Sequence, residues 1–80
     1  MNVDHRIVRE MLRQFTKPKA EKMLHELLPE REATAIYFCD VLDWERWKVG
    51  EEKLFCEPGQ VTRIKNRGYL RLKAELNKHL

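Results

Sequence analysis

Between Gln60 and Lys73 the chain concentrates the side chains that recognise phosphates and base edges. Gln60, Thr62, Arg63, Asn66 and Arg67 supply amide, hydroxyl and guanidinium groups, and Lys65, Arg71 and Lys73 add further cations. A guanidinium offers parallel donors to the two acceptors of guanine, and a carboxamide matches the donor–acceptor pair of adenine. Cations neutralise backbone phosphates and set most of the affinity and its salt dependence. This chemistry needs one face of a helix. At 100° per residue, Thr62, Arg63, Asn66 and Arg67 project opposite Val61, Ile64, Gly68, Leu72 and Leu76, with Gln60 on a flank at the start. The expected site therefore has Gln60, Thr62, Arg63, Asn66 and Arg67 facing a groove, with Lys65, Arg71 and Lys73 on phosphates. Gly68 falls on the apolar side, where it either admits a neighbouring helix or is simply tolerated. Leu70 projects with the polar group and packs either on the N-terminal helices or on a second subunit.

Other chemistry is poorly served. Asp40, Asp43 and Glu45 lie close in sequence, but no histidine or cysteine joins them at a spacing for acid–base or nucleophilic work. Caps and solvated charges are their expected roles, no glycine-rich phosphate loop is present, and the chain is not expected to be an enzyme. His5, His25 and His79 are scattered and there is no C-x-x-C, so neither metal nor cofactor is expected. Cys39 and Cys56 each adjoin a phenylalanine and are expected to be buried free thiols.

The elements that must position these residues are all helical. Val3, Ile7, Val8, Met11, Leu12 and Phe15 repeat at helical spacing, with Arg6, Arg9 and Arg13 on the other side. Such a helix could lie on a membrane, though packing its apolar face inward is the expected outcome. A second helix spans about Pro18 to Leu28, striped by Ala20, Met23, Leu24, Leu27 and Leu28. PEREATAIYFCDVLD reads as a third, with proline and glutamates where the helix dipole favours them. Its apolar residues run nearly all round, which marks the buried centre. Asp43 is the expected cap of a fourth helix, WERWKVGEEKLF, with Trp44 and Trp47 expected in the core. Gly50 inside it reads as a weak point, worth about 1 kcal/mol against alanine. CEPG makes a short turn, and Pro58 opens a last helix running towards Lys78. No segment alternates with period two. The expectation is an all-α domain of four or five helices.

With 80 residues and no linker or repeat, the chain is a single domain. The longest apolar run, AIYFC, is far too short for a membrane span, and the charged N-terminus is unlike a signal peptide, so a cytosolic protein is expected. Net charge is +3 but unevenly spread. Residues 26–57 carry four basic side chains against nine acids, whereas residues 58–80 carry six against one. A polyanion is drawn to the last third and repelled by the middle.

Leu54 closes one helix, a turn of three or four residues follows, and Val61 lies seven positions on. That order is a helix-turn-helix, placed at about residues 44–76. LPEREATAIYFCDV followed by LFCEPGQVTRIKNRGYLRLKAEL resembles the fourth region of bacterial sigma factors and the small phage transcription regulators built on the same unit. Leu28, Pro29, Arg31 and Glu32 match the start of that pattern, and Leu54, Gly59, Val61, Gly68, Leu72 and Leu76 match its later positions. QVTRI is more weakly similar to the Trp repressor reading head. The resemblance spans roughly residues 28–76. The chain departs from it at Glu57, where a serine or threonine cap is usual, and at Phe55, which replaces the turn glycine. Val49–Gly50 also stands one residue further from Leu54 than the family's apolar–alanine pair. The resemblance implies a regulator that binds double-stranded DNA, with a homodimer or a partner expected for tight specific binding. The alternative it implies is a module that holds RNA polymerase without reading DNA, for which Leu70, the acidic middle and, where exposed, Trp44, Trp47 and Tyr69 are the candidate surface.

Overall fold

Asp4 accepts a hydrogen bond from the Ile7 amide at 3.0 Å and so starts helix α1 (His5–Gln14), whose Val8 and Leu12 are buried. The computed structural model describes residues 4–78; Val3 and His79 lie outside that range. Phe15 and Thr16 are extended, and helix α2 (Lys17–Leu27) begins with Pro18 in its first turn. It buries Ala20 and Leu24 and ends at Leu28, which the following proline holds out of helical conformation.

Helix α3 (Glu30–Ile36) carries Glu30 and Glu32 in its first turn and continues without a break into a π-wound segment, Tyr37–Val41. The chain then reverses. Asp43 takes a left-handed backbone, φ 60°, and the Trp44 amide donates to Phe38 O at 2.8 Å. Helix α4 (Arg46–Val49) starts with Glu45, not Asp43, at its cap position, and it too widens into a π-wound turn, Gly50–Leu54. Asp43 instead pairs with Arg13 at 2.5 Å. Phe55 is left-handed (φ 56°, ψ 50°), the residue that ends α4 and turns the chain. Its amide and that of Cys56 both donate to Gly50 O, closing the helix end. Helix α5 (Pro58–Lys78) follows. The fold is all-α, with five helices among the described residues.

Two apolar clusters hold these helices. The first joins Val8 and Leu12 of α1, Leu24 and Leu28, Ala33, Ile36 and Tyr37, and Tyr69 and Leu72 of α5. The second joins Ala35 and Cys39, Val49 and Leu54, and Val61, with Phe38, Trp44, Cys56 and Ile64 packed beside them. Opposite sides of α3 and its π extension feed the two clusters. This is why its apolar residues run all round. Each fully buried leucine or valine contributes about 1.5–3 kcal/mol.

Close approach decides both buried glycines. A Cβ on Gly68 would stand 2.6 Å from Ile36 Cδ1 and 3.2 Å from Glu32 Cβ, so α5 crosses α3 closely enough that any side chain there would force Ile36 to shift. A Cβ on Gly50 would lie 2.3 Å from the Cys56 carbonyl oxygen. Gly50 is thus not a weak point but the place where the turn folds back onto α4. Both cysteines are free, Cys39 buried and Cys56 only half-buried. No helix among the described residues is long and apolar enough to cross a membrane.

Candidate nucleic-acid interface

The rotation of α5 is fixed from its inner side. Val61 and Ile64 enter the second cluster, while Gly68, Tyr69 and Leu72 enter the first. A buried polar network reinforces this setting. Asp40, on the π extension of α3, accepts a hydrogen bond from the Tyr69 hydroxyl and another from Lys65 Nζ at 3.0 Å, and Arg9 Nε lies 3.7 Å away. His5 of α1 stacks on the Tyr69 ring, centroids 4.9 Å apart. Burial first, and then the bond to Asp40, pushes the Tyr69 hydroxyl pKa well up, so it stays a donor. Asp40 was expected to be a cap or a solvated charge; it is instead the buried hub that ties α1, α3 and α5 together.

With that face anchored, Gln60, Arg63, Asn66, Arg67 and Leu70 are exposed on the outer side of α5. Leu70 is 60% exposed, in line with its outward place on the helical wheel. Other residues of the expected site are engaged. Thr62 is half-buried, accepts from Arg46 Nη1 at 2.7 Å, and its own hydroxyl donates to Pro58 O at 3.4 Å. The Lys65 side chain is only 16% exposed and faces Asp40, which departs from an outward phosphate contact. Arg71 pairs with the buried Glu32 at 2.9 Å. Lys73 is half-buried and close enough to α1 to help depress the pKa of His5, after the larger effect of burial.

Arg31 joins this surface, and α5 periodicity alone gave no sign of it. Its Nη1 donates to Leu54 O at 3.0 Å, tying α3 to the C-terminus of α4. Together with Gln60, Arg63, Ile64 and Arg67 it lines a groove of about 250 Å³ between α3 and α5. Among the described residues Arg31, Arg63 and Arg67 form no salt bridge.

A second surface lies on α4 and the turn. Trp47 is 54% and Phe55 83% exposed, and Glu45, Glu51 and Glu52 are exposed beside them in sequence. The Trp47 indole N–H donates to Glu45. Core packing holds for the half-buried Trp44 and fails for Trp47. Tyr69, a candidate for the interaction surface, is instead fully buried. No protein-family model, curated protein or solved structure matches this chain.

Proposed function

We propose that the chain is a DNA-binding transcription regulator in which α4, the Phe55–Glu57 turn and α5 act as a helix-turn-helix. The observation that supports this most is the outer ridge of α5. Gln60, Arg63, Asn66 and Arg67 are exposed on a helix whose opposite side is locked into two apolar clusters. In this reading α5 enters the major groove, its Gln60 and Asn66 amides meet base edges, and Arg63 and Arg67 serve the phosphates. Thr62 contributes by fixing Arg46 against α5 instead of reaching a base. One such domain offers a small interface, roughly 600–1,000 Å², so a homodimer or a second protein completes tight specific binding in the cytoplasm. No catalytic role is assigned, since Asp40 serves to orient α5.

A gel shift on random duplex DNA tests the reading. The wild type is expected to shift, and Arg63→Ala and Asn66→Ala to lose the shift with helical circular dichroism unchanged. Binding should weaken steeply with salt. Full retention by both variants, or a flat salt response, refutes the proposal.

The aromatic surface favours one alternative. Trp47 and Phe55 are exposed among glutamates, a composition that suits a protein partner such as RNA polymerase. Recovery of polymerase by wild type but not by Trp47→Ala, without retention on DNA, would favour this second reading.

A further inference from the structure

We infer that the groove between α3 and α5 is a phosphate site in which Arg31, Arg63 and Arg67 hold one phosphate group. The inference rests on the DNA-binding reading for the source of that phosphate, a duplex backbone, while the chemistry is shared with a free phosphate ion. Three guanidiniums from two helices line one groove of about 250 Å³, with Gln60 beside them and Ile64 the apolar member. None of the three has a carboxylate within salt-bridge distance among the described residues. Two other cations of α5 are paired: Lys65 is neutralised by Asp40 and Arg71 by Glu32. Like charges gathered without a counter-ion repel one another until an anion arrives. A carboxylate satisfies one guanidinium fork, whereas the several oxygens of a phosphate can bridge forks from separate helices.

The groove also has a direction. Its continuation, about 270 Å³, adds Glu30 and Glu32 beside Pro29, so an anion is confined to the end near Gln60 and Arg63. Arg31 is preset by its bond to Leu54 O, which leaves its remaining donors to the groove. A backbone phosphate seated there would fix the angle at which α5 meets the duplex, because Arg31 belongs to a different helix from the base-facing residues. It would act on every sequence alike.

The test measures fluorescence anisotropy of two unrelated 20-base-pair duplexes between 50 and 200 mM salt. Wild type is compared with Arg31→Gln, Arg67→Gln and, as a charge-loss control, Lys17→Gln on α2. Each groove variant should reduce the steepness of log affinity against log salt by up to about 0.9, the contribution of one phosphate, equally on both duplexes, while the control leaves it unchanged. Arg67→Gln keeps the test usable if losing the bond to Leu54 O unfolds Arg31→Gln. Wild-type binding with an unchanged slope in a folded groove variant overturns the site and leaves the DNA reading standing. If the wild type binds neither duplex, that reading fails. The site is then decided by titrating inorganic phosphate while following the arginine Nε–Hε resonances by NMR. Shifts confined to Arg31, Arg63 and Arg67 assign the groove to the free anion, and no shift overturns it.

Discussion

Replacing Gly50 by alanine sets two physical effects against each other, and the structure decides between them. Its backbone is ordinary right-handed helix, φ −61° and ψ −46°, so helix propensity alone favours alanine by about 1 kcal/mol. The added Cβ, however, would sit 2.3 Å from the Cys56 carbonyl oxygen and 3.3 Å from Val61 Cγ2. A backbone carbonyl cannot rotate aside as a side chain can. The Cys56 amide is held to Gly50 O at 3.0 Å, so moving the turn also disturbs the bond that ends α4. Overpacking of this kind costs about 1–3 kcal/mol, and a contact with backbone belongs near the upper end. Subtracting the propensity gain leaves a net loss of about 1–2 kcal/mol. For a domain this size that lowers the melting temperature by about 5–15 °C.

Gly59 supplies the control. A Cβ there meets nothing within 4 Å, so Gly59→Ala changes propensity alone and should raise stability by about 0.5 kcal/mol. Thermal and urea unfolding followed by circular dichroism measure both variants beside the wild type. The opposite signs are the prediction. A Gly50→Ala protein that melts at or above the wild-type temperature would refute the reasoning that Gly50 is kept for space.

Three further perturbations test separate parts of the fold. Phe55→Gly should raise the urea midpoint, corresponding to about 0.5–1 kcal/mol, because the residue is left-handed and exposed and loses no buried contact; a lower midpoint would sink the argument. Asp40→Asn leaves Lys65 and Arg9 without their counter-charge and should cost about 3 kcal/mol, against about 1–2 for Tyr69→Phe, both read from denaturant unfolding. Burial, then the Lys73 charge, holds His5 below its ordinary pKa of 6.5, so the unfolded chain binds the extra proton more readily. Stability should therefore fall as pH drops below 6.5 and stay level above it, and His5→Phe, which keeps the stack on Tyr69, should flatten that response in thermal melts. Asp4 acts in a separate window: the Ile7 amide lowers its pKa, so its contribution is lost only on acidification through 3.8 and below.

The sequence made the helices legible where local signals agree. Pro58 marks the start of α5 and unbroken periodicity carries it to Lys78, as expected. Pro18 and Pro29 likewise place α2 and α3 within a residue or so. The failures have physical causes. A wheel drawn at 3.6 residues per turn cannot anticipate the π-wound turns at Tyr37–Val41 and Gly50–Leu54. The fourth helix starts two residues later than Trp44 because Asp43 adopts a left-handed backbone instead of capping. The pairing of Asp40 with Lys65 and Tyr69 spans 25 and 29 residues, a distance over which no sequence period operates. The same limit hid Arg31, whose partner Leu54 lies 23 residues away. Trp47 stays outside because α4 buries only Val49 of its first four residues, leaving the second cluster to Trp44.

These internal pairings change what the charge of α5 can do. Between residues 61 and 73 the helix carries five cations, and if all met phosphates the salt slope would be about −4.5. Lys65 and Arg71 are neutralised by Asp40 and Glu32, and Lys73 lies half-buried beside α1. That leaves Arg63 and Arg67, which share one phosphate with Arg31 from α3, and a slope of about −0.9 from that groove per chain. Lys65→Ala should then destabilise the fold while leaving the slope where it was, whereas Arg67→Gln should reduce it. A wild-type slope near −4.5, or one that falls in Lys65→Ala, would mean that the lysine leaves Asp40 to meet DNA, and that the buried network opens on binding instead of holding α5 in place.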